Sequence, residues 1–150
     1  MKTLNSLLTA LLTVITVFAQ GQSTIDFGLL PNDWTQGRID ATGNVVKAEV
    51  NRGGWYQLAI NTDSTLVFSD PFTCGFGHKR QGNWAINKAD TTVTFHFYKR
   101  AGYMNTPGTT DINETETYKI TKLNAEELIL SKLGEDKKYM AFLPTSKTRE

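Results

Sequence analysis

The sequence predicts an all-β protein that forms a single antiparallel up-and-down barrel of about eight strands. After the first nineteen residues, no long segment keeps apolar residues at the spacing of an amphipathic helix, whereas apolar and polar residues often alternate. Asn, Asp and Gly residues separate these runs at intervals of mostly about 8–12 residues. This rhythm is typical of a meander that closes into a barrel or a sandwich.

Four strands are expected in the first half of the chain. Val46, Ala48 and Val50 alternate with charged residues, and Leu66 and Phe68 share one face of a later run. The run at 55–60 carries apolar and aromatic residues on both faces. The expected strands are residues 34–39, 46–50, 55–60 and 65–68.

The second half continues the same pattern. Val93, Phe95 and Phe97 share one face, so His96 between them is expected to point outward. The segment at 124–127 is interpreted as a tight turn into the next strand rather than as a helix. The expected strands are residues 84–86, 93–97, 118–120, 128–130 and 139–142, which brings the total to about nine candidates.

The N-terminus has the features of a secretory signal peptide. Lys2 precedes an apolar stretch that ends in small residues, with cleavage expected after Ala19 and Gly21 as the alternative. The stretch is too short for a membrane span, and no lipobox cysteine stands near the cleavage point. We therefore expect a secreted or periplasmic protein with a signal peptide at 1–19, a loosely ordered segment at 20–31 and one barrel domain at 32–146.

Composition excludes some partners and leaves others open. The mature chain would keep 15 of the 16 basic residues against 15 acidic ones, so its net charge is about zero. Basic residues are scattered, which disfavours nucleic acid as a partner. A small ligand or a protein partner remains possible, and no membrane span is expected. No cofactor motif is present, and none is predicted.

Two long connections are expected, at 70–81 and at 101–114. The first contains Cys74, the only cysteine, and His78, one of two histidines. Its glycines favour a pliant loop over the barrel mouth, with a ligand-contacting lid and a metal or thiol site as alternatives. A lone thiol in an exported protein is buried, reactive or paired with another chain.

Several short motifs resemble those of a known family. They are Thr65-Leu-Val-Phe68, Gly82-Asn-Trp84, Thr91-Thr-Val-Thr-Phe95, Tyr118-Lys-Ile and Glu127-Leu-Ile-Leu130. In this order they resemble the small lipocalin-like domains exported by Bacteroidota-type bacteria, over about residues 54–143. The resemblance implies a lipocalin-like barrel and no particular ligand. We expect Gly82-x-Trp84 to mark a strand start whose indole plugs one end of the barrel.

The leading functional hypothesis is binding of a small apolar or amphipathic molecule in a barrel cavity. No catalytic residue and no metal ligand is assigned, because the protein is not expected to be an enzyme. The residues expected to line the cavity are aromatic, namely Trp55, Phe68, Trp84, Phe95, Phe97 and Tyr118.

Two other hypotheses remain open. One is a non-catalytic interaction module with a solid core, which acts through the connections at 70–81 and 101–114. The other is an enzyme or metal protein that brings Cys74, His78 and His96 together. Patterns for glycosylation also occur at Ser64, Thr91 and Asn113.

Overall fold

A computed structural model describes residues 25–49, 56–70, 77–102, 108–135 and 138–147, so the signal peptide expected at 1–19 lies outside the described residues. Within these ranges, no helix combines the length and the apolar character needed to cross a membrane. The same ranges form nine strands: β1 (Asn32–Ile39), β2 (Val45–Lys47), β3 (Gln57–Ile60), β4 (Thr65–Ser69), β5 (His78–Asn87), β6 (Thr92–Gly102), β7 (Gly108–Leu123), β8 (Leu128–Lys132) and β9 (Tyr139–Pro144).

The sheet closes on itself through β1. Strands β3 to β9 pair in chain order, each antiparallel to the next. Trp34 of β1 is paired with Leu58 of β3 on one edge and with Pro144 of β9 on the other. Eight strands therefore form a closed antiparallel up-and-down barrel, to which β2 is added. This confirms the predicted lipocalin-like architecture.

Alternation along the strands sorts the side chains between the interior and the outer face. His96 is exposed between buried Phe95 and Phe97, as expected. Each large apolar side chain buried in this way contributes roughly 1.5–3 kcal/mol. The buried cluster consists of Leu30, Trp34, Leu58, Ile60, Leu66, Phe68, Val93, Phe95, Phe97, Tyr118, Ile120, Leu123, Leu128, Leu130 and Phe142.

The segment before β1 closes one end of the barrel. Residues 25–31 were placed outside the barrel by sequence, but Ile25, Phe27 and Leu29 pack against the core and Leu30 is fully buried. The indole Nε1–H of Trp34 donates a hydrogen bond of 3.0 Å to the carbonyl of Leu30. This bond satisfies the polar atom of a buried indole and holds the segment over the barrel end.

The prediction that Gly82-x-Trp84 marks a strand start is wrong. Both residues lie inside β5, where the register with β6 shifts between Gln81 and Gly82. A Cβ atom at position 82 would clash with the backbone carbonyl of His96, so the close approach at this bulge requires glycine. Trp84 packs partly buried against the core and donates a hydrogen bond to the carbonyl of Asn61, in the β3–β4 turn at the closed end.

The two long connections are shorter than predicted. Residues 78–81 belong to β5, and residues 101–102 and 108–114 belong to β6 and β7. Polar residues there extend the barrel wall, because backbone pairing continues where the inner face no longer needs apolar side chains. The described residues of the ranges 70–81 and 101–114 therefore lie mainly in strands, and the alternative function that acts through these ranges stays a hypothesis. The rest of those two ranges includes residues outside the described part of the chain.

The strand predicted at 46–50 is also shorter and out of phase. Strand β2 ends at Lys47, and its buried residue is Val45. Val45 packs with Ile129 and Ala141, which lie between core residues in sequence and so face outward. The carboxylate of Glu127 accepts a hydrogen bond of 3.2 Å from the Val45 backbone. Strand β2 is therefore held against the outer face of the barrel.

Candidate functional site

Among the residues that the structure describes, none covers the end of the barrel opposite the Leu30 segment. A cleft of about 490 Å³ lies at this end of the barrel, between the ends of β4 and β8 and the beginnings of β5 and β9. This volume lies within the range of about 300–1,000 Å³ that is usual for small-molecule pockets. The cleft is the candidate functional site.

Strand order separates the cleft into two halves of different chemistry. The contiguous strands β9, β1, β3 and β4, with the residue that precedes β3, contribute mainly uncharged side chains. These are Gln36, Tyr56, Phe68, Met140 and Phe142. Strands β5, β7 and β8 contribute Arg80, Glu116, Tyr118 and Lys132. Exposed Arg38, Ile39, Lys138 and Tyr139 lie at the rim.

Arg80 is the central charged residue of this site. Its side chain is only 13 % exposed, and its guanidinium carbon lies 4.2 Å from the ring centre of Phe97 and 5.0 Å from that of Phe68. Its Nη1 is 3.5 Å from a carboxylate oxygen of Glu114 and 3.4 Å from one of Glu116. The Nε atom is buried, and the described part of the chain provides it with no hydrogen-bond partner. The guanidinium is therefore packed on aromatic rings and only partly paired.

Glu116 is held by three neighbours on its half of the cleft. The Tyr118 hydroxyl donates a hydrogen bond of 2.8 Å to it, and the Lys132 ammonium lies 3.5 Å away. Burial raises the pKa of Glu116, but Tyr118, Arg80 and Lys132 together outweigh burial and hold that pKa below its usual value. Burial and the adjacent Glu116 carboxylate raise the pKa of Tyr118. At neutral pH this pair is thus a carboxylate and a neutral phenol.

At Asp70, burial has a larger effect on the pKa than the neighbouring charges have. This residue follows β4, lines the cleft and is half-buried. Burial raises its pKa above the usual 3.8, and the opposing attraction of Arg80, His78 and Arg100 is too weak to restore it. The ionised form of Asp70 is therefore less favourable in the folded protein than in the unfolded chain.

Replacing Asp70 with Asn should make the protein more stable at pH 7. Because the pKa is raised in the folded protein, ionised Asp70 lowers the free energy of unfolding at pH values above that pKa. This cost disappears below about pH 3.8, where Asp70 is protonated in both the folded and the unfolded chain. Urea unfolding at pH 7 and at pH 3 would measure the effect. The prediction would be contradicted if Asp70→Asn were less stable than the wild type at pH 7. It would also be contradicted if the difference in free energy of unfolding between them were larger at pH 3 than at pH 7.

The six aromatic residues predicted to line the cavity occupy different places. Phe68 and Tyr118 line the cleft. Phe95 and Phe97 are buried in the core, and Arg80 lies over the Phe97 ring. Trp84 packs at the closed end, and Trp55 lies outside the described residues. Of the five that the structure describes, two therefore line the cleft.

Sequence analysis missed the charged half of the cleft because it missed the first part of β7. Residues 108–117 are mostly polar, and the predicted connection at 101–114 included the first seven of them. A signal was nevertheless present, because Glu114 and Glu116 are in phase with Tyr118 and Ile120, with Thr115 and Thr117 between them. Glu114 and Glu116 continue the inner face of β7, and in the closed barrel both carboxylates lie close to Arg80.

The histidines do not form a common site. His96 is paired with Asn83 on the β5–β6 ladder, and His78 lies five positions before Asn83. That separation is roughly 17 Å along the strand. Among the described residues, no group of three or more His, Cys, Asp or Glu side chains could hold a metal ion. Cys74 lies outside them.

The three glycosylation patterns lie on accessible parts of the barrel. Ser64 and Thr91 are in the β3–β4 and β5–β6 turns, both with positive φ, and Asn113 is exposed on β7. The Asp63 carboxylate accepts hydrogen bonds from both the backbone and the hydroxyl of Thr65, so it also stabilises its turn. Occupancy by a glycan stays a prediction.

The cleft can accommodate a molecule with an apolar body and a polar group. Its two halves offer aromatic and aliphatic contact on one side and charged groups on the other. No family model, curated protein or solved structure matches this chain.

Proposed function

We propose that the protein binds a small amphipathic molecule in the cleft at one end of its barrel and does so after export. The observation that carries the proposal is the cleft of about 490 Å³, whose wall is mainly uncharged on the β9–β4 half and charged on the β5–β8 half. A ligand with matching halves would bury its apolar part against Tyr56, Phe68 and Met140. Its polar part would lie near Arg80.

The rim and the resemblance to lipocalin-like domains support the same proposal. Ile39 and Tyr139 are both more than 40 % exposed at the mouth of the cleft, where an entering apolar group would contact them. The motifs over residues 54–143 resemble those of exported lipocalin-like domains. Both features fit a binding protein better than a module with a solid core.

The experiment is a titration with phenylnaphthylamine, an uncharged dye whose fluorescence rises in an apolar site. We expect saturable binding of one dye per chain. Replacing Met140 with Trp should weaken binding at least about tenfold, because the larger side chain fills part of the cleft between the dye and its apolar wall.

The matched control is Ala85→Trp, which adds an indole to an exposed position on the outer face of β5. This variant should bind the dye like the wild type. Thermal unfolding of both variants confirms that each is folded at the temperature of the titration. An absence of saturable binding, or equal binding by Met140→Trp and the wild type, would contradict the proposed function.

A further inference from the structure

The charges that meet the cleft are mainly positive. Among the described residues that line it, four are basic, namely Arg38, Arg80, Lys132 and Lys138, and two are acidic, namely Asp70 and Glu116. Glu135 pairs with both lysines at 2.8 Å but is not part of the lining. A ligand in the cleft would therefore meet an excess of positive charge.

Donors and acceptors in the cleft are also unequally occupied. One oxygen of Glu116 accepts a hydrogen bond from Tyr118, and the other lies near both Arg80 and Lys132. In contrast, the carboxylates near Arg80 stand 3.4–3.5 Å away, beyond the roughly 2.7–2.9 Å of a charge-assisted hydrogen bond. Among the described residues, the buried Nε–H of Arg80 has no acceptor. The hydrogen-bonding capacity of the Arg80 guanidinium is therefore only partly used by these neighbours.

The position of Arg80 also requires that a ligand bound to it carry an apolar body. Its guanidinium lies 5.0 Å from the ring centre of Phe68, which belongs to the uncharged half of the cleft. An anionic group paired with Arg80 would therefore place the rest of its molecule against Phe68 and Tyr56. Arginine is suited to such an anion because its planar fork binds two oxygens at once.

The geometry points to an amphipathic anion as the ligand, with a carboxylate, sulfonate or phosphate-type group bound by Arg80 and an apolar body packed on Phe68 and Tyr56. This inference rests on the proposed function and names the ligand class for the same cleft. Lys132 adds a second positive charge from β8, and Tyr118 keeps Glu116 turned toward its own half.

The test compares two dyes that differ in one group. Anilinonaphthalenesulfonate is phenylnaphthylamine with an added sulfonate, so the ratio of their affinities measures the contribution of the anion. We expect the wild type to bind the sulfonate at least about tenfold more tightly than the uncharged dye. The preference should fall to about threefold or less in Arg80→Lys, since lysine keeps the charge but lacks the fork and the Nε donor. The two affinities are compared within each variant, so a change in the affinity for the uncharged dye does not enter the preference.

Arg100→Lys is the matched control. Arg100 also pairs with Glu114, but it does not line the cleft, so this variant should keep the full preference for the sulfonate. Uncharged-dye binding without a gain for the sulfonate, or a preference that survives in Arg80→Lys, overturns the anionic ligand and leaves the proposed function standing. Failure of both dyes to bind overturns both proposals. The comparison of the two dyes in the wild type needs no variant, so it tests the anionic ligand even if Arg80→Lys does not fold.

Discussion

Replacing Arg80 with Met is expected to lower the free energy of unfolding by about 3 kcal/mol at pH 7, the low end of the range for a broken buried ion pair. Methionine preserves apolar contact with Phe97 but removes the charge. It leaves the Glu116 carboxylate, only 19 % exposed, without its guanidinium. The low end applies because Lys132 still lies near Glu116. Urea unfolding of the variant and the wild type measures the difference.

The effect of Arg80→Met should depend on pH. The pKa of Glu116 in the folded protein is below its usual 4.5, so its pairing stabilises the fold above about pH 4.5 and that contribution is lost as the pH falls through the lowered pKa. The difference in free energy of unfolding between Arg80→Met and the wild type should therefore be largest near pH 7 and should become smaller in acid. A difference that is independent of pH would indicate a loss of packing alone.

A double variant separates charge from packing. Arg80→Met combined with Glu116→Gln leaves no unpaired carboxylate at position 116, so it should recover at least half of the stability lost in the single variant. If Arg80→Met alone stays within about 0.5 kcal/mol of the wild type, as a surface substitution does, the ion pairs of Arg80 contribute little.

Replacing Trp34 with Ala should cost about 3–5 kcal/mol, the usual range for a large aromatic side chain removed from a core. Trp34 is 1 % exposed and lies on β1, the strand that closes the barrel by pairing with both β3 and β9. The change leaves a cavity and removes the hydrogen bond that holds the Leu30 carbonyl. Chemical denaturation measures the loss.

Trp84→Ala is the matched control, because this indole also donates its Nε1–H to a backbone carbonyl but is only partly buried. It should cost clearly less than Trp34→Ala. Trp34→Phe keeps most of the apolar volume and tests the hydrogen bond, with an expected loss of about 1–3 kcal/mol from the unpaired Leu30 carbonyl. Equal losses for Trp34→Ala and Trp84→Ala would contradict the role assigned to β1 and the Leu30 segment.

The strands that sequence analysis placed well are those whose inner face is apolar. Val93, Phe95 and Phe97 alternate with outward residues, and all three are buried as expected. Where the inner face is polar, alternation of apolar residues gives no signal. Residues 108–114 of β7 were assigned to the connection at 101–114 for this reason, although Glu114 is in phase with Tyr118.

The candidate site could be predicted only in its uncharged part. Aromatic residues on alternating strands indicated a cavity, and Phe68 and Tyr118 do line the cleft. Arg80 stood in a glycine-rich stretch that suggested a mobile connection. Its contact with Glu116 depends on the ladder in which β5 pairs with β6 and β6 pairs with β7, so it spans two strand pairings. No local pattern specifies such a contact.

Periodicity along the chain was enough to predict antiparallel strands that close into a barrel or a sandwich, because burial of every second side chain is a local property of each strand. Closure by β1, the bulge at Gly82, the sealing of one end by the Leu30 segment and the placement of Arg80 against Phe97 were decided only by the tertiary structure. These features depend on register between strands distant in sequence, and register is set by the packing of the whole interior. The charged cleft at one end of the barrel follows from that packing.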